Sequence, residues 1–259
     1  MTTSRTLRGS LALAVCVAAL QPAQTLAQEG GLRGGSFTVG LFGFQGDTAY
    51  GFTETAAVPF VEYENDHFKI GVPSVDVKLP WISSEQLSFG LTVDFFGGEG
   101  GYEAGDAPIL NGMADRDGGV WAGATMGWRS DLVDLSFAAM TDVTGDSDGS
   151  SFKLEASRSF VAWDRLMITP KLAAVWLDDN AVDYYYGVRA GEATASRAQY
   201  SGSSTVNVEG GITFGYMLAE RHMLLLDLGV TKLGSGIADS PIVVDDMLTK
   251  VGLGYVFKF

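Results

Sequence analysis

Lys250-Val251-Gly252-Leu253-Gly254-Tyr255-Val256-Phe257-Lys258-Phe259 closes the chain, and its two-residue period decides the fold. Val251, Leu253, Tyr255, Phe257 and Phe259 make one continuous apolar row, while Lys250, Gly252, Gly254, Val256 and Lys258 make a row that is mostly small or basic. Successive side chains of a β-strand point to opposite faces, so these rows are the two sides of one strand. A barrel wall with lipid outside and a polar lumen inside needs that division. A core strand of a soluble sandwich also alternates, so the choice between them depends on the rest of the chain.

The same alternation recurs from end to end, with no linker, no tract of low complexity and no sustained helical period. Strands are expected over 37–44, 58–64, 68–72, 75–81, 86–96, 120–129, 132–142, 152–161, 166–177, 205–218, 222–232 and 248–259, about twelve, an even number as in bacterial barrels. Leu87, Phe89, Leu91, Val93 and Phe95 face outward against Ser88, Gly90, Thr92 and Asp94. Arg158 interrupts the outward row of its strand, where a slip or bulge would reverse the faces. The connections near Asn65, Ser84, Asp131, Asp164 and Glu220 are tight, and those near Asp47, Gly100, Asp146, Gly191 and Asp239 are mostly longer and rich in Gly and Asp. Tight turns belong on the periplasmic side and long loops outside. Amphipathic rings favour the membrane interfaces, so Trp81, Trp128 and Trp163 beside inner turns, Trp121 and Trp176 near outer ends, and the terminal Phe259 are expected to anchor the wall. The fold class is therefore all-β: a transmembrane antiparallel up-and-down β-barrel with short periplasmic turns and longer extracellular loops.

Residues 1–27 have the layout of a secretory signal: Arg5 and Arg8, an apolar run from Leu11 to Leu20, then Thr25-Leu26-Ala27. The expected division is a removed signal peptide, 1–27, and a single barrel domain, 28–259. The run is too short to cross a bilayer as a helix. Leu13-Ala14-Val15-Cys16 only half resembles a lipoprotein box. Cys16 is the single cysteine, so the mature chain has no disulfide, no thiolate metal site and no cysteine nucleophile. The formal net charge is −14 for the whole chain and −16 without Arg5 and Arg8, a balance that repels nucleic acid.

Several segments resemble those of a known family. Asp183-Tyr184-Tyr185-Tyr186-Gly187-Val188, Tyr200 further on, Asp239-Ser240-Pro241-Ile242-Val243 and the Tyr-Val-Phe-Lys-Phe end together resemble the MipA/OmpV family of outer-membrane proteins. Leu110-Asn111-Gly112-Met113, Asp142-Val143-Thr144-Gly145 and Asp148-Gly149 look similar to further family segments. The C-terminal Phe with its apolar residues at alternate positions likewise resembles the terminal signature of Gram-negative outer-membrane proteins. The resemblance implies an integral protein of the outer membrane in contact with its lipid and lipopolysaccharide, delivered by the barrel assembly machinery through its last strand. It also implies a non-enzymatic scaffolding role between a murein transglycosylase and a murein synthase, or a surface-interaction role. No catalytic residue or cofactor follows from it.

Four constellations deserve weighing as sites. His67 and His222 fall beside inner turns, the wrong end for outer-leaflet lipid or extracellular peptide, and interfacial turn residues explain them better than catalysis. Asp142, Asp146, Asp148 and Gly149 carry oxygen ligands at spacings that suit calcium, but lack a later bidentate Glu and fit solvated hairpin geometry better. Tyr184, Tyr185 and Tyr186 are expected at the outer end of a strand, within the aromatic girdle, and with Asp183 and the Asp239-Ser240-Pro241 loop they are placed to fold as a lid over the lumen. Inside, Asp94, Asp134, Glu155, Glu209 and Asp227 face Lys153, Lys171 and Lys250. Mixed charge of this kind favours a bonded filling over a wide pore, with a narrow solute channel as the alternative.

Overall fold

A computed structural model describes residues 35–95 and 100–259. The expected signal segment, Cys16, the stretch 28–33 and Phe96 lie outside the described residues. Fifteen strands run in chain order: β1 Ser36–Asp47, β2 Thr53–Glu64, β3 Phe68–Gly71, β4 Ser74–Lys78, β5 Leu87–Asp94, β6 Gly101–Tyr102, β7 Arg116–Asp117, β8 Trp121–Trp128, β9 Asp134–Asp142, β10 Ser150–Ser157, β11 Phe160–Ala162, β12 Leu166–Leu177, β13 Thr205–Ala219, β14 His222–Lys232 and β15 Met247–Lys258. Two helices, α1 Asp179–Tyr186 and α2 Ser235–Ala238, lie in the outer loops. Neighbours pair antiparallel in the order β10-β9-β8-β5-β4-β3-β2-β1-β15-β14-β13-β12, and β10 pairs with β12 to close a barrel of twelve strands. The two-residue strands β6 and β7 form a separate ribbon in an outer loop.

The terminal strand sits as its alternation demands. β15 pairs β14 on one side and β1 on the other, with Val251, Leu253 and Tyr255 opposite Leu228, Leu226 and Leu224 in one outward row. Phe259 donates its backbone N–H to Phe37 O at 2.8 Å, and the two rings meet at 5.6 Å. Inward glycines serve a specific purpose here. The Phe42 ring lies over Gly252 and Gly254, and the stems of Lys171 and Lys250 lie over Gly211 and Gly229, where a Cβ would stand within 3 Å of them.

Two features differ from the sequence expectation, and a third, the register at Arg158, does not. β2 begins at Thr53 rather than at Val58, because Thr53, Thr55 and Glu54 pair with β1 although their pattern is polar on both faces. Trp81 lies on a 3-10 turn, Pro80–Ile82, after β4 has ended at Lys78. The strand carrying Arg158 keeps its register: Ser157 pairs Lys171 and, beyond the break, Phe160 pairs Ile168. The interruption has a backbone cause, since Pro170 opposite Arg158 accepts its N–H at 3.3 Å but has none to return. The Arg158 guanidinium reaches the carbonyl of Ser130 in the neighbouring inner turn at 2.9 Å.

Candidate functional site

The outer end of the barrel carries a small folded cap, built by the loops 48–52, 100–120, 178–204 and 233–246. Its core gathers Tyr50, Tyr102, Leu110, Met113, Val182, Tyr185, Tyr186, Val188, Ile237 and Ile242 from these loops with Trp121 and Leu177 from the strand ends. Met140, Val175 and Leu248, on inward strand positions, pack against it. The cap therefore sits in the lumen mouth, not beside it.

Local sequence explains its largest piece. The Asp178 carboxylate accepts the Ala181 N–H at 2.9 Å, an N-cap that starts α1 directly after β12. The helix turns Ala181, Val182, Tyr185 and Tyr186 into the core. Tyr184, Tyr185 and Tyr186 are thus helical residues of the cap, not girdle residues of a strand, and Tyr185 is fully buried. The Tyr50 hydroxyl donates to Tyr185 O at 3.0 Å, and its ring meets Tyr102 edge-on at 4.8 Å and stacks near Tyr186 at 5.7 Å. The Asp-Ser-Pro loop joins the same unit: the Ser240 hydroxyl donates to Tyr186 O at 2.6 Å and the Tyr200 hydroxyl to Gly236 O at 2.8 Å. Asp183 accepts the Gly202 N–H at 2.8 Å, and the Gly187 N–H closes the helix on Asp183 O. At the rim, Asn207 and Thr205 of β13 accept the N–H groups of Gly234 and Gly236.

Two arginines lock the loops together. The Arg116 guanidinium donates to Tyr184 O at 2.8 Å, to Ala114 O at 2.9 Å, and to both carboxylate oxygens of Glu192 at 3.1 and 3.2 Å. It lies 5.8 and 5.7 Å from the ring centres of Tyr102 and Tyr184. Arg197 donates to Glu192 O at 2.7 Å and to Ile109 O at 2.6 Å. Neither arginine, nor Glu192, stood out in the sequence, because a lone base among Asp115, Asp117 and other loop acids reads as solvated and its partner is 76 residues away. Burial raises the Glu192 carboxyl, but the N–H groups of Ala114 and Arg189 and then Arg116 outweigh it, so its pKa falls below the ordinary 4.5. Burial also pushes the Tyr102 hydroxyl up to about 12, which keeps the phenol neutral.

A pH dependence follows with a definite sign. A carboxyl whose folded pKa is depressed stabilises above its unfolded pKa, and that contribution is lost as pH falls through the folded value. The near-ultraviolet circular dichroism of the cap tyrosines should hold steady from neutrality down to the ordinary glutamate range and collapse below it, with the step absent in Glu192→Gln.

Beneath the cap, several of the lumen charges form bonded pairs, whereas Asp134 Oδ1 is buried with no hydrogen-bond partner. Lys153 meets Glu209 at 2.8 Å and Glu155 at 3.5 Å, and Lys171 meets Asp227 at 2.9 Å. Thr213 donates to the same Asp227 oxygen at 2.6 Å. Lys153, Glu155, Glu209 and Lys171 surround, with Lys250, a cavity of about 20 Å³, room for roughly one water. Asp94 lies higher on the inward face, opposite Trp121. On the β2–β4 side, Lys69 pairs Glu62 at 3.2 Å and Lys78 pairs Glu64 at 2.6 Å. Asp227→Ala should leave Lys171 without its partner and cost about 1–3 kcal/mol, read as a lower urea midpoint for loss of heat-modifiable migration. Asp227→Asn, which keeps an acceptor, should cost less.

The remaining candidate residues take plainer places. Trp121 is 2 % exposed and faces inward under the cap, so it does not meet lipid. Trp176 faces outward and stacks on Phe152 at 5.2 Å. Trp81 and Trp163 stand exposed at inner turns, and Trp128 at the inner end of β8. The His222 ring lies 2.6 Å from the Tyr255 hydroxyl beside Phe257, and His67 lies in the turn before β3. Both Asp142 oxygens are taken by protein donors, one by Thr144 and Gly145 and the other by Ser147. Among the described residues no group of three or more His, Cys, Asp or Glu is placed to hold a metal.

A closed antiparallel barrel with a continuous outward apolar wall, paired charges within and its mouth filled by folded loops is an integral outer-membrane barrel protein. The chain belongs to the MipA family, described as "MltA-interacting protein MipA", whose model matches residues 39–259. Two Escherichia coli proteins, from strain K12 and from O157:H7, both named as the outer membrane protein YiaT, are 27% identical over 195 residues, 74% of this chain and 78% of theirs. Among solved structures, the NanC porin aligns with a TM-score of 0.45 at 9% identity, covering 85% of this chain and 100% of its own. An outer membrane channel from Pseudomonas putida F1 aligns at 0.42 and 12%, covering 90% and 100%. At these scores neither bears on function.

Proposed function

We propose that this protein is a non-enzymatic structural component of the outer membrane, closed at its outer end, which works by holding partners rather than by passing solutes. The observation that carries the reading is the cap: a core of aromatic and aliphatic side chains, tied by a buried ion pair, occupies the mouth where a channel would be open. On the periplasmic side, the family name points to a murein transglycosylase, and a murein-linked scaffold is the reading we favour. The inner turns are short, so a contact there would use the barrel rim, where Leu132 and Trp163 are exposed. A stable interface generally needs about 800 Å² per partner, so the contact expected is weak or bipartite.

The test is retention of a lytic murein transglycosylase by the full-length protein in detergent, compared with a Leu132→Ser, Trp163→Ser variant. Retention lost in the variant supports the rim scaffold. No retention by the parent protein rejects it and leaves the outer cap as the interaction surface. A narrow solute channel is the second reading, favoured by the charged inner wall below the cap. Delivery through a cleaved signal at 1–27 and assembly through the strand ending in Phe259 complete the proposal.

A further inference from the structure

One row of inward residues crosses four strands of the wall below the cap. Its register partners run Lys171 on β12, Gly211 on β13, Gly229 on β14 and Lys250 on β15. The two glycines make a floor between the two lysines. A Cβ on Gly211 would stand 2.6 Å from Lys171 Cε, and one on Gly229 would stand 2.7 Å from Lys250 Cε. Each stem therefore lies over its neighbouring glycine, and the two lean toward each other along the row. Both residues line the same small cavity, with Lys153 as a third base. Like charges gathered in this way repel unless something negative lies among them.

The nearby carboxylates are already engaged by two of the three bases. Glu209 and Glu155 meet Lys153, while Asp227 meets Lys171 and accepts from Thr213. Lys250 is different. Among the described residues its ammonium makes no hydrogen bond or ion pair, and neither does the hydroxyl of Thr231, which lines the same cavity. Lys250 is half-buried in the wall, and an ammonium withdrawn from water without an acceptor is costly. Two donors are thus left over beside one empty space. That space, about 20 Å³, sets the size of what completes the set: a species no larger than about one water. A solute of several heavy atoms does not fit, and three ammoniums in the lining disfavour a metal cation.

We propose that this cavity binds one small monoanion of chloride size, which accepts from the Lys250 ammonium and the Thr231 hydroxyl with Lys171 beside it. The site lies in the lumen below the cap and is independent of the scaffold reading. The test is the line width of the chloride NMR signal in sodium chloride solution with the full refolded chain in non-ionic detergent, against detergent alone. The protein should broaden the line; bromide should compete and narrow it again, and gluconate, too large for the cavity, should not. Broadening should be lost in Lys250→Met and kept in Lys258→Met, which removes the same charge at the inner end of the strand. Heat-modifiable migration confirms that each variant is folded. A line no broader than that of detergent alone overturns the site and leaves water as the occupant. Broadening that gluconate narrows as well as bromide does, or that survives equally in both variants, overturns it in favour of loose attraction to surface charge. The comparison of bromide with gluconate needs the parent protein alone, so the proposal remains open to refutation even if Lys250→Met does not fold.

Discussion

Arg116→Met should unfasten the outer cap while leaving the barrel standing. The Arg116 and Glu192 side chains are 1% and 9% exposed, and removing one partner of a buried pair leaves the other charged and uncompensated, at a cost of about 3–5 kcal/mol. The substitution also frees the carbonyls of Ala114 and Tyr184 that the guanidinium now satisfies. The strand ladder does not pass through these residues, so heat-modifiable migration should persist while outer loops 100–120 and 178–204 become open to protease in intact vesicles. A second variant separates charge from packing. Arg116→Met with Glu192→Met should recover part of the protection, because no buried charge is left alone. Recovery should be incomplete, since Glu192 also accepts the N–H groups of Ala114 and Arg189. Loops as resistant in Arg116→Met as in the parent would mean that the cap does not depend on this pair.

Trp121→Ala is the other large effect. The ring lies inward at the top of β8, where Trp121 pairs with Asp94 on one side and Asp142 on the other, and it belongs to the cap core. Truncating a buried tryptophan costs about 3–5 kcal/mol when the cavity does not collapse. The loss should fall on the cap, seen as protease sensitivity of the outer loops. Trp176→Ala, which removes an outward ring from the lipid face, should leave the cap protected. Equal behaviour of the two variants would contradict the assignment of one ring to the cap and the other to the membrane face.

The contrast between those two tryptophans shows what the sequence could disclose. A period of two is a local property, so the alternating rows of β5, β14 and β15, and with them the barrel, are legible residue by residue. Which face of the wall a rim residue takes is also local, but whether loops cover the lumen side of that rim is not. Trp121 and Trp176 both lie near outer strand ends, where alternation puts them on opposite faces, but the burial of Trp121 depends on the packing of distant loops. The tyrosine run misleads for a related reason. An eight-residue helix has too little period to register, although Asp178 before it and Asp179 in its first turn are a recognisable N-terminal signal. The pairing of Arg116 with Glu192 is a fact of tertiary structure with no local trace. The short β3–β4 hairpin is half visible, in the weak alternation on either side of Val72-Pro73.

The central claim is that the cap and the bonded lumen close this barrel. Single-channel recording of the refolded protein in a planar bilayer tests it most directly, with folding confirmed by heat-modifiable migration. The account predicts a silent bilayer for the parent protein, and discrete conductance steps once Arg116→Met has loosened the cap and Asp227→Ala has opened the charge network. Reproducible steps from the parent protein, altered by Glu209→Gln or Lys171→Gln, would contradict the account and establish a narrow channel in its place.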